Sequence, residues 1–406
     1  MLRTDGERLW RSLMDLARIG ATPKGGVRRL SLTDVDRAGR DLFVRWCREA
    51  GLATRWDAAG NIFARREGAD PAAAPVMMGS HLDTQPSGGR FDGAYGVMAG
   101  LEVMRTLDDQ GILTRKPLEV ASWTNEEGTR FAPGMAGSAV FAGVHPLEEI
   151  RASRDVDGIT FGEALRGIGY EGAGGPHEVG AYFEAHIEQG PVLEQARTTI
   201  GVVQGALGQR WFDVTVTGMD AHAGPTPMEL RQDALIAASR MVLEVNRIAR
   251  GHPDYARATV GVMQAKPGSR NVVPGEARFT VDMRNASNTT LSAMKADLEE
   301  SLRAIAAEYR VAVEAREVMY FPPCEFTPAL VDSVRRAAKA LGLSHRDIVS
   351  GAGHDAVFLA RVAPTAMIFV PCEGGISHNE IENARPEDLA AGCDVLLHAV
   401  LEKAGV

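Results

Sequence analysis

Short, nearly uninterrupted apolar runs alternate along the chain with segments whose apolar residues recur at helical spacing. PVMMGSHL (75–82), LEVASWTN (118–125), AYFEAHIEQ (181–189) and TAMIFVP (365–371) predict buried strands. Between the first two, Val97, Leu101, Met104 and Leu107 form one stripe of a predicted helix. Nearer the start, Thr33 and Asp36 stand at capping-box spacing ahead of Leu42, Phe43 and Trp46, which predicts a helix over about 33–50. Strands without a polar side, joined through helices, specify an α/β fold. Its mostly parallel sheet is covered on both faces, because only a doubly buried strand dispenses with polar alternation.

From about 207 to 322 the rhythm changes. RWFDVTVTG alternates Phe212, Val214 and Val216 with polar neighbours, as a strand with one wet face should. A helix (229–249), two strands (258–265 and 276–284), a helix (290–308) and a strand (310–319) follow. The order β-α-β-β-α-β is the split ferredoxin-like unit. The earlier pattern resumes after Pro322 and Pro323. The chain therefore reads as a catalytic domain of residues 1–206 and 323–406 with an inserted α+β dimerisation or lid domain, 207–322. The Gly-rich stretch 150–180 gives no assignable pattern, and no internal repeat or low-complexity tract is found.

Bulk properties narrow the classes of function. At 406 residues the chain exceeds the size at which single cores stop growing. Its formal net charge is −9 and its 44 Lys and Arg residues are dispersed, which argues against nucleic acid as a partner. No apolar run reaches the roughly 18 residues needed to span a bilayer. The opening MLRTDGERLW is charged from its third residue, unlike a secretory signal, so a cytoplasmic protein with no membrane partner is expected. Cys47, Cys324, Cys372 and Cys393 are widely separated and read as reduced packing residues.

Side chains able to bind metal gather where the predicted strands end. His81 and Asp83 close the first, and Asp92 opens the following helix. Glu126 and Glu127 close the second, His186 and Glu188 the third, and His378 stands in the loop after the fourth. Open α/β sheets bind ligands beyond the carboxyl ends of their strands, so these residues are expected to converge there. Imidazoles with carboxylates and no thiolate suit Zn²⁺, Mn²⁺, Co²⁺ or Ni²⁺. The donors outnumber the needs of one tetrahedral ion, and a pair of ions bridged by one carboxylate accounts for the surplus.

GSHLDTQPSGGRFDGAYGVMAGLE, SWTNEEGTRFAPGMAGSAVFAG, FEAHIEQGPVLE, SRNVVPG, GAGHDAVFLA and GISHNE, in that order, resemble the hydantoinase/carbamoylase branch of the di-metal aminopeptidase-like amidohydrolases. The resemblance spans nearly the whole chain. It implies that His81, His186, Glu127 and His378 hold two divalent ions bridged by Asp92. Asp83 then orients His81 through its free ring nitrogen, and Glu126 is left as the general base. Peptidases of the superfamily usually carry an acidic residue in place of His186. The resemblance further implies a carboxylate clamp of Arg284 and Asn271, substrate contacts from Gln189 and from the GAGHD loop with Gly353 and His354, and an oxyanion donor, His222, reaching the metals from the partner subunit of a homodimer. The implied reaction removes the carbamoyl group of N-carbamoyl amino acids. Related ureido acids (β-ureidopropionate, allantoate, ureidoglycolate) are alternative substrates. A dipeptidase or an inactive metal-binding relative is disfavoured by His186 and by the intact Glu126.

Overall fold

A computed structural model describes residues 1–252 and 254–406, which form two compact units: Met1–Gly205 with Glu325–Val406, and Ala206–Cys324. In the first unit, four parallel strands lie side by side in the order Leu118–Trp123, Val76–His81, Ala181–Ile187, Thr365–Val370. Every residue of these four is buried, which explains their continuous apolar sequence. The flanks are antiparallel. Ile62–Arg66 pairs with Leu118–Trp123 and is extended by Ala53–Trp56, while Ile200–Ala206 pairs with Thr365–Val370. Neither flanking set was singled out from sequence, because runs this short carry a weak periodic signal whether half-exposed, like Ala53–Trp56, or almost wholly buried, like Ile200–Ala206.

The helix Ala94–Asp109 packs on this sheet together with Pro386–Ala404. It buries far more than the predicted stripe, since Tyr95, Met98, Ala99 and Glu102 are also inside. The helix Asp34–Glu49 starts where Thr33 Oγ1 accepts from the Asp36 amide at 3.2 Å. The capping box is half-formed. Asp36 instead accepts from Leu32 N and pairs with the buried Arg40, both at 2.8 Å. The unassigned 150–180 stretch holds the helix Phe161–Gly167, which opens with a complete capping box from Thr160 and Glu163.

The second unit is an antiparallel sheet in the order Met263–Lys266, Glu276–Asn285, Gly208–Thr217, Ala312–Phe321, with Arg257–Thr259 also on Glu276–Asn285. Its helices, Ala234–Gly251 and Asn288–Tyr309, meet each other and bury Phe212, Val214, Val216, Phe279 and Val281 on one sheet face. This is the split ferredoxin-like arrangement. Two expectations shift. The first helix begins at Asp233, whose carboxylate accepts from Leu235 N and Ile236 N, because Pro227 and the tight turn Met228–Leu230 occupy the earlier residues. The strand expected over 258–265 is two strands, interrupted at Val260, Gly261 and Val262. Among the described residues, no helix is long and apolar enough to cross a membrane.

Candidate active site

The carboxyl ends of the four parallel strands deliver the designated side chains to one place. His81 is the last residue of its strand, His186 the penultimate residue of its own, and the Glu126 and His378 loops follow the other two. Asp92 lies between them with its two oxygens turned to different partners. Oδ1 is 3.2 Å from His186 Nε2 and 3.6 Å from His81 Nε2. Oδ2 is 3.3 Å from His378 Nε2, which is itself 3.5 Å from Glu127 Oε2. Two donor groups therefore share one carboxylate: His81, Asp92 and His186, and Asp92, Glu127 and His378, each with ligand atoms within 4.8 Å of one another.

The imidazoles are held in one tautomer. His81 Nδ1 lies 2.9 Å from the Asp83 carbonyl and His186 Nδ1 2.9 Å from the Ile187 carbonyl, so both donate there and keep a lone pair on Nε2. The Gly93 amide donates to that lone pair of His186 at 3.2 Å. Asp83 does more than the role expected of it. Its carbonyl makes the hydrogen bond to His81 Nδ1, its carboxylate stands 3.9 Å from the same nitrogen, and that carboxylate accepts from the amides of Glu126 (3.2 Å) and Glu127 (3.3 Å). The HLD turn thus fixes the loop bearing both glutamates. Two buried arginines brace these loops from behind. Arg29 Nε donates to the Leu82 carbonyl at 2.7 Å, and Arg40 reaches Thr124 Oγ1 at 3.2 Å.

Gly93 has φ 64° and ψ −50°, and the Ala94 amide donates back to the Asp92 carbonyl at 2.6 Å, closing a tight three-residue γ-turn. That turn brings the backbone against His81, where a Cβ on Gly93 would stand 2.4 Å from three ring atoms. Asn125, Gln189 and His378 also have positive φ, of 58°, 57° and 54°. Such backbone is costly for residues other than glycine and concentrates at functional sites.

Burial raises Glu126 well above the ordinary carboxylate range, with Asp355, Glu127 and Asp83 adding repulsion that His81 only partly offsets. Burial and Asp92 push Glu127 up to about 7. Burial opposes ionisation of Asp92, but contacts with His186, His378 and His81 hold it well below the usual range. Burial opposes charging of His81 and His186, yet the facing carboxylates raise both, and Asp92 raises His378, above the ordinary imidazole range, so a proton and a metal ion compete for the same Nε2 positions. Nitrogen and oxygen donors in two groups with one shared carboxylate fit two divalent ions.

Other designated residues are placed as follows. Gln189 Nε2 donates to Asp92 Oδ2 at 2.9 Å, with its Oε1 left unpartnered. Glu188 accepts from the amides of Val192 and Leu193, capping the next turn rather than joining the ligands. His354 is buried, 4.6 Å from the His186 ring and hydrogen-bonded to Ser350 Oγ, and with Glu184 and His186 it makes a further group whose ligand atoms lie within 4.8 Å of one another. Gly353 is exposed beside Met135. His222, Asn271 and Arg284 belong to the second unit. His222 and Asn271 are joined there by the ribbon in which Ala221–His222 pairs with Val272–Val273. Arg284, near the far end of Glu276–Asn285, holds Asp282 at 2.9 Å. Three residues of the metal centre went unread in the sequence. Gln85 donates to Glu127 from both its amide (3.1 Å) and its side chain (2.6 Å). Ser377 Oγ lies 3.1 Å from Asp92 Oδ2, and buried Glu382 accepts from the Asp92 amide at 3.1 Å. Glu382 stands four residues after His378 within the SHNEIE run, a spacing that could have flagged it.

The profile of Peptidase family M20/M25/M40 matches residues 77–402, and the chain belongs to this family. It is 49% identical over 406 residues to an N-carbamoyl-L-amino-acid amidohydrolase of Rhizobium meliloti, covering 100% of this chain and 98% of the relative. An N-carbamoyl-L-amino acid amidohydrolase of Geobacillus stearothermophilus is 40% identical, with 98% of each covered. A solved amidase of the hydantoinase/carbamoylase family from Burkholderia multivorans superposes with a TM-score of 0.96 at 57% identity, covering 99% of this chain and 98% of that one. Within the larger family the chain therefore falls in the hydantoinase/carbamoylase branch.

Proposed function

We propose that the protein is a metal-dependent amidohydrolase that converts N-carbamoyl-L-amino acids and water to amino acid, CO₂ and ammonia. The observation that carries the reading is the division of Asp92 between two donor groups, with the unliganded Glu126 carboxylate 3.5 Å from His81 Nε2. Divalent ions held by His81, Asp92, Glu127, His186 and His378 would polarise the scissile carbonyl and acidify the attacking water. Glu126, held by Asp83 through its backbone, accepts the proton of that water and passes it to the leaving nitrogen. Gln189, already turned toward Asp92, contacts the ureido group. The full-length similarity to amidohydrolases named for this substrate supports the assignment over ureido-acid relatives and peptidases.

His222 suits the role of oxyanion donor. Its Nδ1 accepts from the Gly224 amide at 3.2 Å, which leaves the proton on the exposed Nε2. One such donor contributes roughly 2.7–4 kcal/mol in other enzymes. The inserted unit bears on where that donor comes from. His222 and Asn271 sit beside the start of Glu276–Asn285, and Arg284 lies eight residues along that strand, or about 26 Å at strand rise. That separation far exceeds the length of an N-carbamoyl amino acid. A clamp that uses all three draws Arg284 from one copy of the chain and His222 with Asn271 from another. Exposed Met219, Met228, Leu230 and Ile236 flank His222 in sequence, an apolar margin suited to burial in a homodimer.

The test is ammonia release from a panel of N-carbamoyl-L-amino acids, compared with amine release from dipeptides, in Mn²⁺ or Zn²⁺. Dipeptide cleavage without ammonia would refute the assignment.

A further inference from the structure

Glu382 is a buried carboxylate beside the metal centre that belongs to none of the donor groups. Its Oε1 accepts from the amides of Phe91 (3.0 Å) and Asp92 (3.1 Å), so it grips the backbone that presents the shared carboxylate. Its Oε2 lies 2.9 Å from Ser377 Oγ, which is 3.1 Å from Asp92 Oδ2 and adjacent in sequence to His378. The neighbouring residues repeat the connection, since Arg90 donates to Asn383 Oδ1 at 2.7 Å. The chain is shaped to admit this carboxylate. A Cβ on Gly89 would stand 2.1 Å from both Cδ and Oε1 of Glu382, so any larger residue there would displace it. Residues some 290 positions apart in sequence are thereby tied at the point where the Asp92 loop meets the His378 loop.

We infer that Glu382 is a positioning residue that pre-sets Asp92 Oδ2 against His378, and so governs binding of the ion in the Asp92, Glu127 and His378 group. The group made by His81, Asp92 and His186 depends on it far less, because its two imidazoles are fixed by the carbonyls of Asp83 and Ile187, which Glu382 does not touch. The two ions should therefore separate in affinity when Glu382 is lost. The inference rests on the two-metal reading above. Removing a partner that orients a ligand typically weakens metal binding roughly 10–100-fold.

The experiment is calorimetric titration of chelator-stripped full-length protein with Mn²⁺, alongside the melting temperature of the metal-free form. Wild type is expected to show two binding events. Glu382→Ala should keep one and weaken the other on the order of tenfold or more, giving an isotherm that matches His378→Ala. Adding Glu382→Ala to His378→Ala should then change little. Glu382→Gln, which keeps an oxygen for the two amides, should recover most of the lost affinity. Gly89→Ala perturbs the same carboxylate from the opposite side and should reproduce the selective loss if Glu382→Ala fails to fold. Two events of wild-type affinity in either perturbed variant, or equal weakening of both, would overturn the positioning role alone. A wild-type protein that takes up a single ion would refute the two-metal reading and the inference with it.

Discussion

Replacing Gly93 by alanine tests the close approach on which the metal centre is built. The backbone there, at φ 64° and ψ −50°, is open to glycine and strained for any other residue by about 1–3 kcal/mol. The added Cβ also meets the His81 ring at 2.4 Å, and ordinary contact begins at 3.4 Å, so ring or turn must yield by about 1 Å. A metal–nitrogen bond of about 2.0–2.1 Å tolerates roughly 0.2 Å. The displacement therefore removes His81 as a ligand unless the turn itself unwinds, and unwinding would move Asp92. Either way the His81, Asp92 and His186 group should lose on the order of 100-fold in metal affinity, about 2.7 kcal/mol. The melting temperature of the metal-free protein should fall by about 2–12 °C, at about 2–4 °C per kcal/mol. Metal content after dialysis, titration calorimetry and thermal melts of the metal-free form measure the three quantities. A Gly93→Ala protein that binds two ions with wild-type affinity would refute the argument, since it would show that neither the turn nor the ring contact constrains the site.

Glu126→Gln should retain both ions but lose turnover, because the amide cannot take the proton; near-normal activity at full metal content would remove Glu126 as the base. Arg284→Ala and Asn271→Ala should each raise KM for an N-carbamoyl amino acid while leaving metal binding intact, and an unchanged KM in both would place the carboxylate clamp elsewhere. Subunits bearing His222→Ala and subunits bearing Glu126→Gln should each form nearly inactive homodimers. Mixing them should restore activity in sites that combine an intact Glu126 with a partner's His222, and verified mixed dimers without recovery would rule out the shared site.

The parts that were legible in sequence are those in which one structural cause writes directly into residue type. Strands buried on both faces must be apolar throughout, and their ends must turn polar where ligands gather, so His81, Asp83, Asp92, Glu126, Glu127, His186, Glu188 and His378 stood out together, while only the family resemblance divided them into ligands, base and supports. The alternation in RWFDVTVTG marked a sheet with one wet face for the same reason. What sequence hid was mostly backbone chemistry. Asp83 read as the partner of His81 because carboxylates often are, but nothing in the sequence signalled that its carbonyl would make the hydrogen bond or that its carboxylate would also hold two amides. Carbonyls are the same in every residue and leave no mark. Glu382 and Gln85 were missed because their partners are likewise amides or lie far along the chain. Arg284 and Asn271 carry no mark in sequence of where a shared ligand would lie, whereas the strand register sets Arg284 eight residues along Glu276–Asn285 from the end that the Asn271 ribbon precedes.

The left-handed backbone at Asn125, Gln189 and His378 places stability and activity under opposite selection. Glycine would relieve local strain at each position, and strain of this kind is where stabilising substitutions are commonly found. Yet these side chains are respectively the clasp on the Phe131 and Pro133 carbonyls, the donor to Asp92 and a member of a donor group. A lineage drifting toward heat resistance would lose one of these contacts with each such step. Gains in hardiness would have to accumulate far from the strand ends, so homologues from hot and temperate habitats should diverge in their helices and outer loops while keeping the same three awkward torsions.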